Sequence, residues 1–320
     1  MKPLVSIVCL CYNHEVYIKQ ALDGFVMQQT NFAFEIIVHD DASTDKSVTI
    51  IKEYEARYPD LFHCIYRKEN WYSRKKDILM YIFQNEVSGK YIALCEGDDY
   101  WTDPYKLQKQ ADFLEAHPAY VMCSHRFDQY LENEQVLEKE SDASFQGVTY
   151  DLDTLIYGKK WCTQTLTSMY RRDALDLELL ASYKLSQDVV MLYALLKKGK
   201  GYCMPDIMGV YRVHSGGIWS GKSLNAQRMF EFKQRIAIYD VEKSDKAAMF
   251  LMGLFARSMS RTMILKQWRL FLKVIMILQK HYSFLLVTQV MFQRMVLGEC
   301  MPFEKIFMLS SLKRKETRQK

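Results

Sequence analysis

The sequence has little of what breaks or staples a chain. Only 13 glycines and 6 prolines occur in 320 residues, which excludes collagen-like repeats, proline-rich linkers and low-complexity scaffolds. The eight cysteines form no CxxC pair, and Cys9 and Cys11 lie in an apolar run while the others are scattered. A zinc ribbon and a disulfide framework are therefore excluded, and reduced, core-filling thiols of a cytosolic protein are expected. Clean hydrophobic runs are also missing. The opening stretch MKPLVSIVCLCYNHE has one lysine and an apolar run of about eight residues. It lacks the longer run and small-residue cleavage site of a signal peptide, and reads as a buried strand. Leu270–Leu297 is interrupted by Lys273, Gln279, Lys280, His281, Gln289, Gln293 and Arg294, so no window reaches the roughly 20 apolar residues of a membrane span.

What is present is an ordinary globular composition, 49% hydrophobic and 25% charged, long enough for one large domain or a catalytic domain with an appendage. The net charge of +5 hides an asymmetry, because residues 225–320 hold 18 of the 43 Lys and Arg but 7 of the 38 Asp and Glu. An acidic body with a basic end implies two parts with different partners. A boundary near residue 222 gives domains 1–222 and 223–320.

The first 130 residues alternate between strand-like and helix-like runs. Strands are predicted at Leu4–Leu10, Glu35–His39, Leu61–Tyr66 and Tyr91–Cys95. Between them helical periodicity spans Glu15–Gln28, Asp45–Tyr58 (closed by Pro59) and Ser73–Glu86. Asp103-Pro104 offers an N-cap and a first-turn proline for a further helix. Repeated alternation with short apolar strands predicts an α/β fold, a doubly wound, mainly parallel sheet covered on both faces. Further on, Tyr120–Ser124, Thr163–Tyr170 and Gly209–His214 look like strands, and Val189–Leu196 like a helix ended by Gly199. From Ser223 onward only helical periodicity remains.

Parallel sheets bind ligands beyond the carboxyl ends of their strands, and the loops there are polar. The sharpest is Glu96-Gly97-Asp98-Asp99. Three carboxylates in four residues repel one another unless a cation neutralises them, and hard oxygen donors suit Mg²⁺ or Mn²⁺. The alternative is a solvated acidic turn. In Asp40-Asp41-Ala42-Ser43-Thr44-Asp45 one of the last three residues is expected to cap the next helix. Asp40 and Asp41 are left to accept hydrogen bonds from a nucleobase or ribose, or to cap as well. Asp188 precedes an apolar helix and reads either as an N-cap or as a general base for a hydroxyl nucleophile. In Tyr211-Arg212-Val213-His214 the alternation puts Arg212 and His214 on one face, where they could meet a diphosphate. His214 could also ligate metal, or be structural. The loop Ser215-Gly216-Gly217 with Trp219 and Lys222 could close over a bound phosphate or sugar. Trp71, Tyr72, Arg74, Lys75 and Lys76 read as a solvated helix start.

The segments SIVCLCYNHEVYIKQALDGFVMQQ, FEIIVHDDASTDKSVTIIKEY, KYIALCEGDDYWTDPYKLQKQADFL, SQDVVMLYALLKKG and VYRVHSGG, in this order and spacing, resemble family 2 glycosyltransferases of the bacterial surface-polysaccharide type. The resemblance runs from residue 3 to about 220. It implies a GT-A fold, a nucleotide-diphospho-sugar donor, a Mn²⁺ or Mg²⁺ ion and inversion at the anomeric carbon. By position it gives Tyr12, Asp40 and Asp41 contacts to base and ribose. Glu96 and Asp98 fall on the acidic positions of the family's DxD motif, with Asp98 and Asp99 at the metal. Asp188 becomes the base, and Arg212 and His214 close on the diphosphate. Glu96 departs from the motif's first Asp, Gln187 stands where many members have Glu, and Glu69–Arg74 matches the family poorly. The implied acceptor is a saccharide or lipid-linked saccharide of a surface polysaccharide or lipopolysaccharide, handled in the cytoplasm.

The C-terminal hundred residues lie outside the resemblance. Met263–Lys280 and Phe284–Leu297 read as Met-rich amphipathic helices. They pack on the catalytic domain, form a homodimer interface, or attach peripherally to an anionic inner leaflet through residues 260–300. No nucleic-acid-binding module is recognised. Two other functions compete. A nucleotidyltransferase shares an acidic pair at a sheet edge, but it favours a Gly-rich phosphate loop where Tyr12-Asn13-His14 stands. A catalytically degenerate nucleotide- or carbohydrate-binding module would tolerate Glu96 and Gln187, but has no use for intact Asp98, Asp99 and Asp188.

Overall fold

The computed structural model describes residues 2–157, 163–184, 188–258 and 268–292. Its first strand explains the sheet. β1 (Val5–Cys11) is buried at all but one position, so it needs cover on both faces and neighbours joined by helical crossovers. β2 (Phe34–Asp40) pairs with it in parallel, with Val5 opposite Phe34 and Cys11 opposite Asp40. β3 (Phe62–Tyr66) adds in parallel to β2, and β4 (Tyr91–Leu94) in parallel to the other side of β1. The crossovers are α1 (Ile18–Val26), α2 (Ser47–Arg57) and α3 (Ile78–Asn85). α1 buries Ile18, Ala21, Leu22 and Phe25, the spacing of one helical face. It lies close against β5 (Tyr100–Trp101). A Cβ on Gly24 would sit 3.0 Å from the Trp101 amide nitrogen, and the Phe25 ring meets Trp101 edge-on at 4.8 Å.

Past β4 the chain forms α4 (Lys106–Ala116), β6 (Tyr120–Leu131), β7 (Val136–Glu138), β8 (Val148–Tyr150), α5 (Leu152–Ile156), β9 (Met169–Arg171), α6 (Leu177–Ser182), α7 (Asp188–Leu196) and β10 (Lys200–Val213). The sheet order is β3-β2-β1-β4-β9-β6-β10-β5, with β7 on β6 and β8 on β10. β9 runs antiparallel to β4 and β6, whereas β10 is parallel to β6. The sheet is thus mainly parallel where the sequence alternates, with antiparallel insertions beyond β4.

Several elements differ from the sequence expectation. The third helix begins at Ile78 rather than Ser73, because Asp77 caps it by accepting from the Met80 amide at 3.0 Å. The preceding basic–aromatic stretch is a turn, with Lys75 left-handed at φ 57°. Neither Ser43 nor Thr44 caps α2. Lys46 occupies the cap position, and Asp45 accepts from the Ser47 amide at 2.9 Å. Asp103 likewise holds a turn by accepting from Tyr105, and α4 starts after it. Thr165–Thr167 is a 3-10 turn rather than strand. There the Thr167 hydroxyl accepts from the Gln164 amide and Trp101 Nε1 donates to the Leu166 carbonyl. Hydroxyls that bond the local backbone compete with sheet pairing in this way.

The described residues divide into two compact units, drawn from Met1–Leu152, Trp161–Ala181 and Met191–Gly221, and from Asp153–Lys160, Ser182–Val190 and Lys222–Lys320. The second contains α8 (Leu224–Glu242), α9 (Asp245–Ser258), α10 (Trp268–His281) and α11 (Phe284–Phe292). Phe232 meets Phe271 at 5.7 Å. Buried Arg235 donates to the Phe250 carbonyl at 3.1 Å with its guanidinium over the Phe250 ring. His281 bridges Tyr239 and Asp245 at 2.7 and 2.8 Å. No described helix is long and apolar enough to cross a membrane. Met263–Gln267 and Gln293–Leu297, expected to be helical, lie outside the described residues.

The core of the first unit holds an amine. Lys106 is fully buried, donates to Gln110 Oε1 at 2.7 Å and lies 3.9 Å from the centre of the Trp101 ring. Burial lowers its pKa to about 7, against smaller opposing effects of Cys95 and Cys123. Below that pH folding must bury an ammonium ion. Above it the folded amine is neutral while the unfolded one still binds a proton. The Lys106 contribution to stability therefore rises with pH between about 7 and 10.5, by at most about 1.4 kcal/mol per unit. Chemical denaturation of Lys106→Met across this range is expected to lack the rise; an unchanged pH slope would refute it.

Candidate active site

The register that sets Cys11 opposite Asp40 brings the loops after β1 and β2 out side by side. Each leaves its strand through a left-handed residue, Asn13 at φ 55° and Ala42 at φ 64°. Such backbone costs a non-glycine residue energy and persists where neighbours enforce it. Here the two loops enforce one another. The Asn13 amide donates to Ser43 Oγ at 2.9 Å, and the Thr44 amide donates back to Asn13 Oδ1 at 2.8 Å. His14 N–H reaches Ser47 Oγ at 2.8 Å. The Glu15 amide reaches Asp45 Oδ2 at 2.9 Å, and the Lys46 amide reaches Glu15 Oε2 at 2.8 Å.

Asp40 ends β2 and Asp41 follows it; both are buried, but they are used differently. Asp41 accepts the Trp71 amide on one oxygen at 2.7 Å and the Tyr72 amide on the other at 2.9 Å, while its carbonyl accepts from Asn70 at 3.2 Å. It builds the turn after β3. Asp40 accepts one bond, from the Ser43 amide at 3.0 Å, and its other oxygen is buried without a partner. Burial, with Asp45 and Asp41 nearby, raises its pKa. Beside them the Arg67 guanidinium carbon stands 3.6 Å from the centre of the Trp71 ring, and its Nε donates to His39. Tyr12 is exposed at the lip.

The acidic turn follows β4 next to the β1 loop, because β4 pairs with β1. The Gly97 amide donates to the Leu10 carbonyl at 2.9 Å, and the Asp99 amide closes the turn on the Glu96 carbonyl at 3.1 Å. A side chain at Gly97 would press on His14 Nδ1 and Ile18, each 2.9 Å from a built Cβ. Carboxylate oxygens of Glu96, Asp98 and Asp99 lie within 4.8 Å of one another. Asp98 Oδ2 faces His214 Nε2 at 3.0 Å and His14 Nε2 at 3.9 Å. Burial opposes ionisation of Asp98, but the His214 hydrogen bond and the charges of His14 and His214 outweigh it and lower its pKa. Asp99 is driven the other way. Burial first, then the Asp98 charge, push its carboxyl well up, although the Arg212 amide donates to it at 2.8 Å. Like charges this close titrate as a set.

β10 delivers Arg212 and His214 to this turn, on one face as their alternation requires. Both are nearly buried. His214 packs on the Tyr17 ring at 4.9 Å. Its carbonyl accepts from Ser220 Oγ at 2.8 Å and the Gly217 amide at 3.2 Å, so the glycine-rich loop is folded back on it. His14 is a site residue that the motif reading passes over. Burial lowers its pKa, and its Nδ1 has no partner. Its signal in the sequence was its place in the polar triplet after a strand that must neighbour β4. Tyr17, Gln20 and Glu132 were missed as well. The hint for Glu132 was a buried arginine needing a counter-charge. All these residues belong to the first unit. Asp188 opens α7 and belongs to the second, and Gln187 lies outside the described residues.

A sheet of this order with an acidic turn beyond its central strands defines a nucleotide-diphospho-sugar transferase fold, GT-A. The family model "Glycosyl transferase family 2" matches residues 6–177, and the chain belongs to that family. An uncharacterised protein of Mycobacterium tuberculosis is 37% identical over 231 residues, 71% of this chain and 64% of that protein. The chain thus spans less than two thirds of the length of such mycobacterial relatives. The putative teichuronic acid biosynthesis glycosyltransferase TuaG of Bacillus subtilis is 30% identical over 228 residues, 69% of this chain and 83% of that protein. Among solved structures, S. aureus TarS 1–349 in complex with UDP-GlcNAc superposes with a TM-score of 0.61 at 20% identity, over 85% of this chain and 79% of that one. The mannosyltransferase PcManGT from Pyrobaculum calidifontis, in complex with GDP-Man and Mn²⁺, gives 0.55 at 15% identity, over 97% and 85%. At these identities the likeness establishes the fold.

Asp41 offers a direct test of the loop architecture. Asp41→Ala strips the Trp71 and Tyr72 amides of their acceptors, and two lost intramolecular hydrogen bonds at roughly 0.5–1.5 kcal/mol each cost roughly 1–3 kcal/mol. Urea denaturation is expected to show a loss of that size, with faster hydrogen exchange at residues 70–73. A variant as stable as the parent would mean that this carboxylate does not hold the turn.

Proposed function

We propose that the protein is an inverting, metal-dependent glycosyltransferase that moves a hexose from a nucleotide-diphospho-sugar to a hydroxyl of a saccharide acceptor. The observation that carries this reading is the acidic turn itself. Three carboxylates and two imidazoles converge at the carboxyl edge of the parallel strands, with one buried imidazole nitrogen unpartnered. This donor set fits a divalent cation. Asp98, Asp99 and His214 would hold Mn²⁺ or Mg²⁺, with Glu96 beside the ribose, and the ion would supply positive charge to a leaving diphosphate. The binding of UDP-GlcNAc by TarS and of GDP-Man with Mn²⁺ by PcManGT supports a donor of this class.

The remaining roles follow the chemistry. Tyr12 and Asp40, at the ends of β1 and β2, take the base and ribose, with Asp41 shaping the turn behind them. Asp188 removes the proton of the attacking hydroxyl, on the strength of its position in the family's order of motifs. A single base suffices, because the other product leaves as an anion and needs no proton, unlike the paired carboxylates of glycosidases. His214 sits where it can respond to charge on the leaving group. The acceptor is a surface polysaccharide or lipopolysaccharide intermediate, a class that the teichuronic acid assignment of TuaG supports. The enzyme works in the cytoplasm, with the basic C-terminal helices, of which residues 268–292 are described, contacting the inner membrane peripherally or a second copy of the chain.

Calorimetric titration with UDP, GDP, dTDP and CDP, each with Mn²⁺ and with EDTA, is expected to give metal-dependent binding of one diphosphate. Silence from all four in a folded sample would favour a degenerate binding module. Asp98→Ala is expected to abolish the metal-dependent component. Asp188→Asn is expected to leave donor binding nearly intact and to slow turnover by roughly 10²–10⁴-fold; near-normal turnover would remove Asp188 from the mechanism.

A further inference from the structure

We infer that Arg212 is a positioning residue that clamps the acidic turn from behind, and that it does not touch the donor. The inference rests on the metal reading above and assigns Arg212 a different task from the diphosphate contact that the sequence suggests. Its backbone amide donates to Asp99 Oδ1 at 2.8 Å, and its side-chain Nε donates to the Asp98 carbonyl at 2.9 Å. One residue therefore grips two consecutive members of the turn, one through its carboxylate and the other through its main chain. The other two guanidinium nitrogens also have protein acceptors. Nη1 pairs with Glu132 Oε2 at 2.9 Å, at the end of β6, and Nη2 donates to Gln20 Oε1 at 2.7 Å, on α1. The rings of Tyr17, Tyr100 and Tyr130 stand 4.7, 5.4 and 5.4 Å from its central carbon, and the residue is 7% exposed. Each guanidinium nitrogen has a protein acceptor, and aromatic rings surround the group, so little of it faces a ligand.

The strand carrying Arg212 also leads into His214, two residues on. This end of β10 thus holds Asp98 at two points, with Arg212 on its carbonyl and His214 on its carboxylate at 3.0 Å. Without the clamp, the Asp98 carbonyl and the Asp99 carboxylate each lose a donor, and three crowded carboxylates lose a restraint against spreading. Lysine keeps the charge but is a single point donor that cannot reproduce the planar fork spanning Asp98, Glu132 and Gln20. The substitution Arg212→Lys therefore changes geometry and not charge, which separates a clamp from simple electrostatic attraction to a phosphate.

The test is the affinity for Mn²⁺ alone, followed by the electron paramagnetic resonance of the free ion, with no nucleotide present. Groups that orient a metal ligand from behind are worth roughly 10–100-fold in affinity, and Arg212→Lys is expected to lose that much. Glu132→Gln, which unseats the guanidinium from a distance, is expected to lose less in the same direction. The double variant is expected to be little weaker than Arg212→Lys alone, since both act through one group. If Arg212→Lys binds Mn²⁺ as tightly as the parent, the clamp is refuted. It is refuted equally if only the thermal midpoint falls while Mn²⁺ affinity holds, the pattern of a merely structural residue. Should Arg212→Lys fail to fold, unchanged Mn²⁺ affinity in Glu132→Gln refutes the clamp and a loss supports it. A parent protein that binds no Mn²⁺ overturns the metal reading first, and the clamp with it.

Discussion

Mutual repulsion within the acidic turn is the constraint around which the site is arranged. Three carboxylates inside a few ångströms cannot all be ionised and buried without help. The fold provides help from three directions. A hydrogen bond reaches Asp98 from His214, imidazole charge reaches it from His14, and the Arg212 amide reaches Asp99, whose carboxyl burial pushes well up. These contributions come from two distant parts of the chain, the end of β10 and the β1 loop, and meet at the turn. The parallel pairing of β1 with β4 and the long reach of β10 along β6 are what bring these parts together, so the sheet topology and the electrostatics are two aspects of one arrangement.

The parallel half of the sheet was legible because its strands carry a simple instruction. β1 is apolar on both faces, and a strand of that kind has few places to go except the middle of a covered sheet. The loops that mattered were legible for the same reason, since topology puts function at strand ends. Harder to read were the places where a side chain far off in sequence decides local structure. Ser73–Asp77 has helical periodicity, yet Asp41 claims the amides of Trp71 and Tyr72 and Asp77 starts the helix later. Thr163–Tyr170 reads as strand until Thr167 and Trp101 are seen satisfying the turn. Arg212 was legible as important but not as to its task, because its partners Gln20 and Glu132 are 192 and 80 residues away. His14 was visible in the loop and silent as to role, because its meaning depends on where Asp98 comes to lie.

The lacing of the β1 and β2 loops has a consequence for redesign. Asn13, Ser43, Thr44, Glu15, Asp45 and Lys46 exchange hydrogen bonds in both directions, so neither loop has a conformation of its own. Grafting a new sequence into one of them would withdraw partners from the other, including a left-handed residue that only those partners sustain. Loop swapping between relatives should therefore treat residues 12–15 and 42–47 as one cassette, exchanged together or left alone.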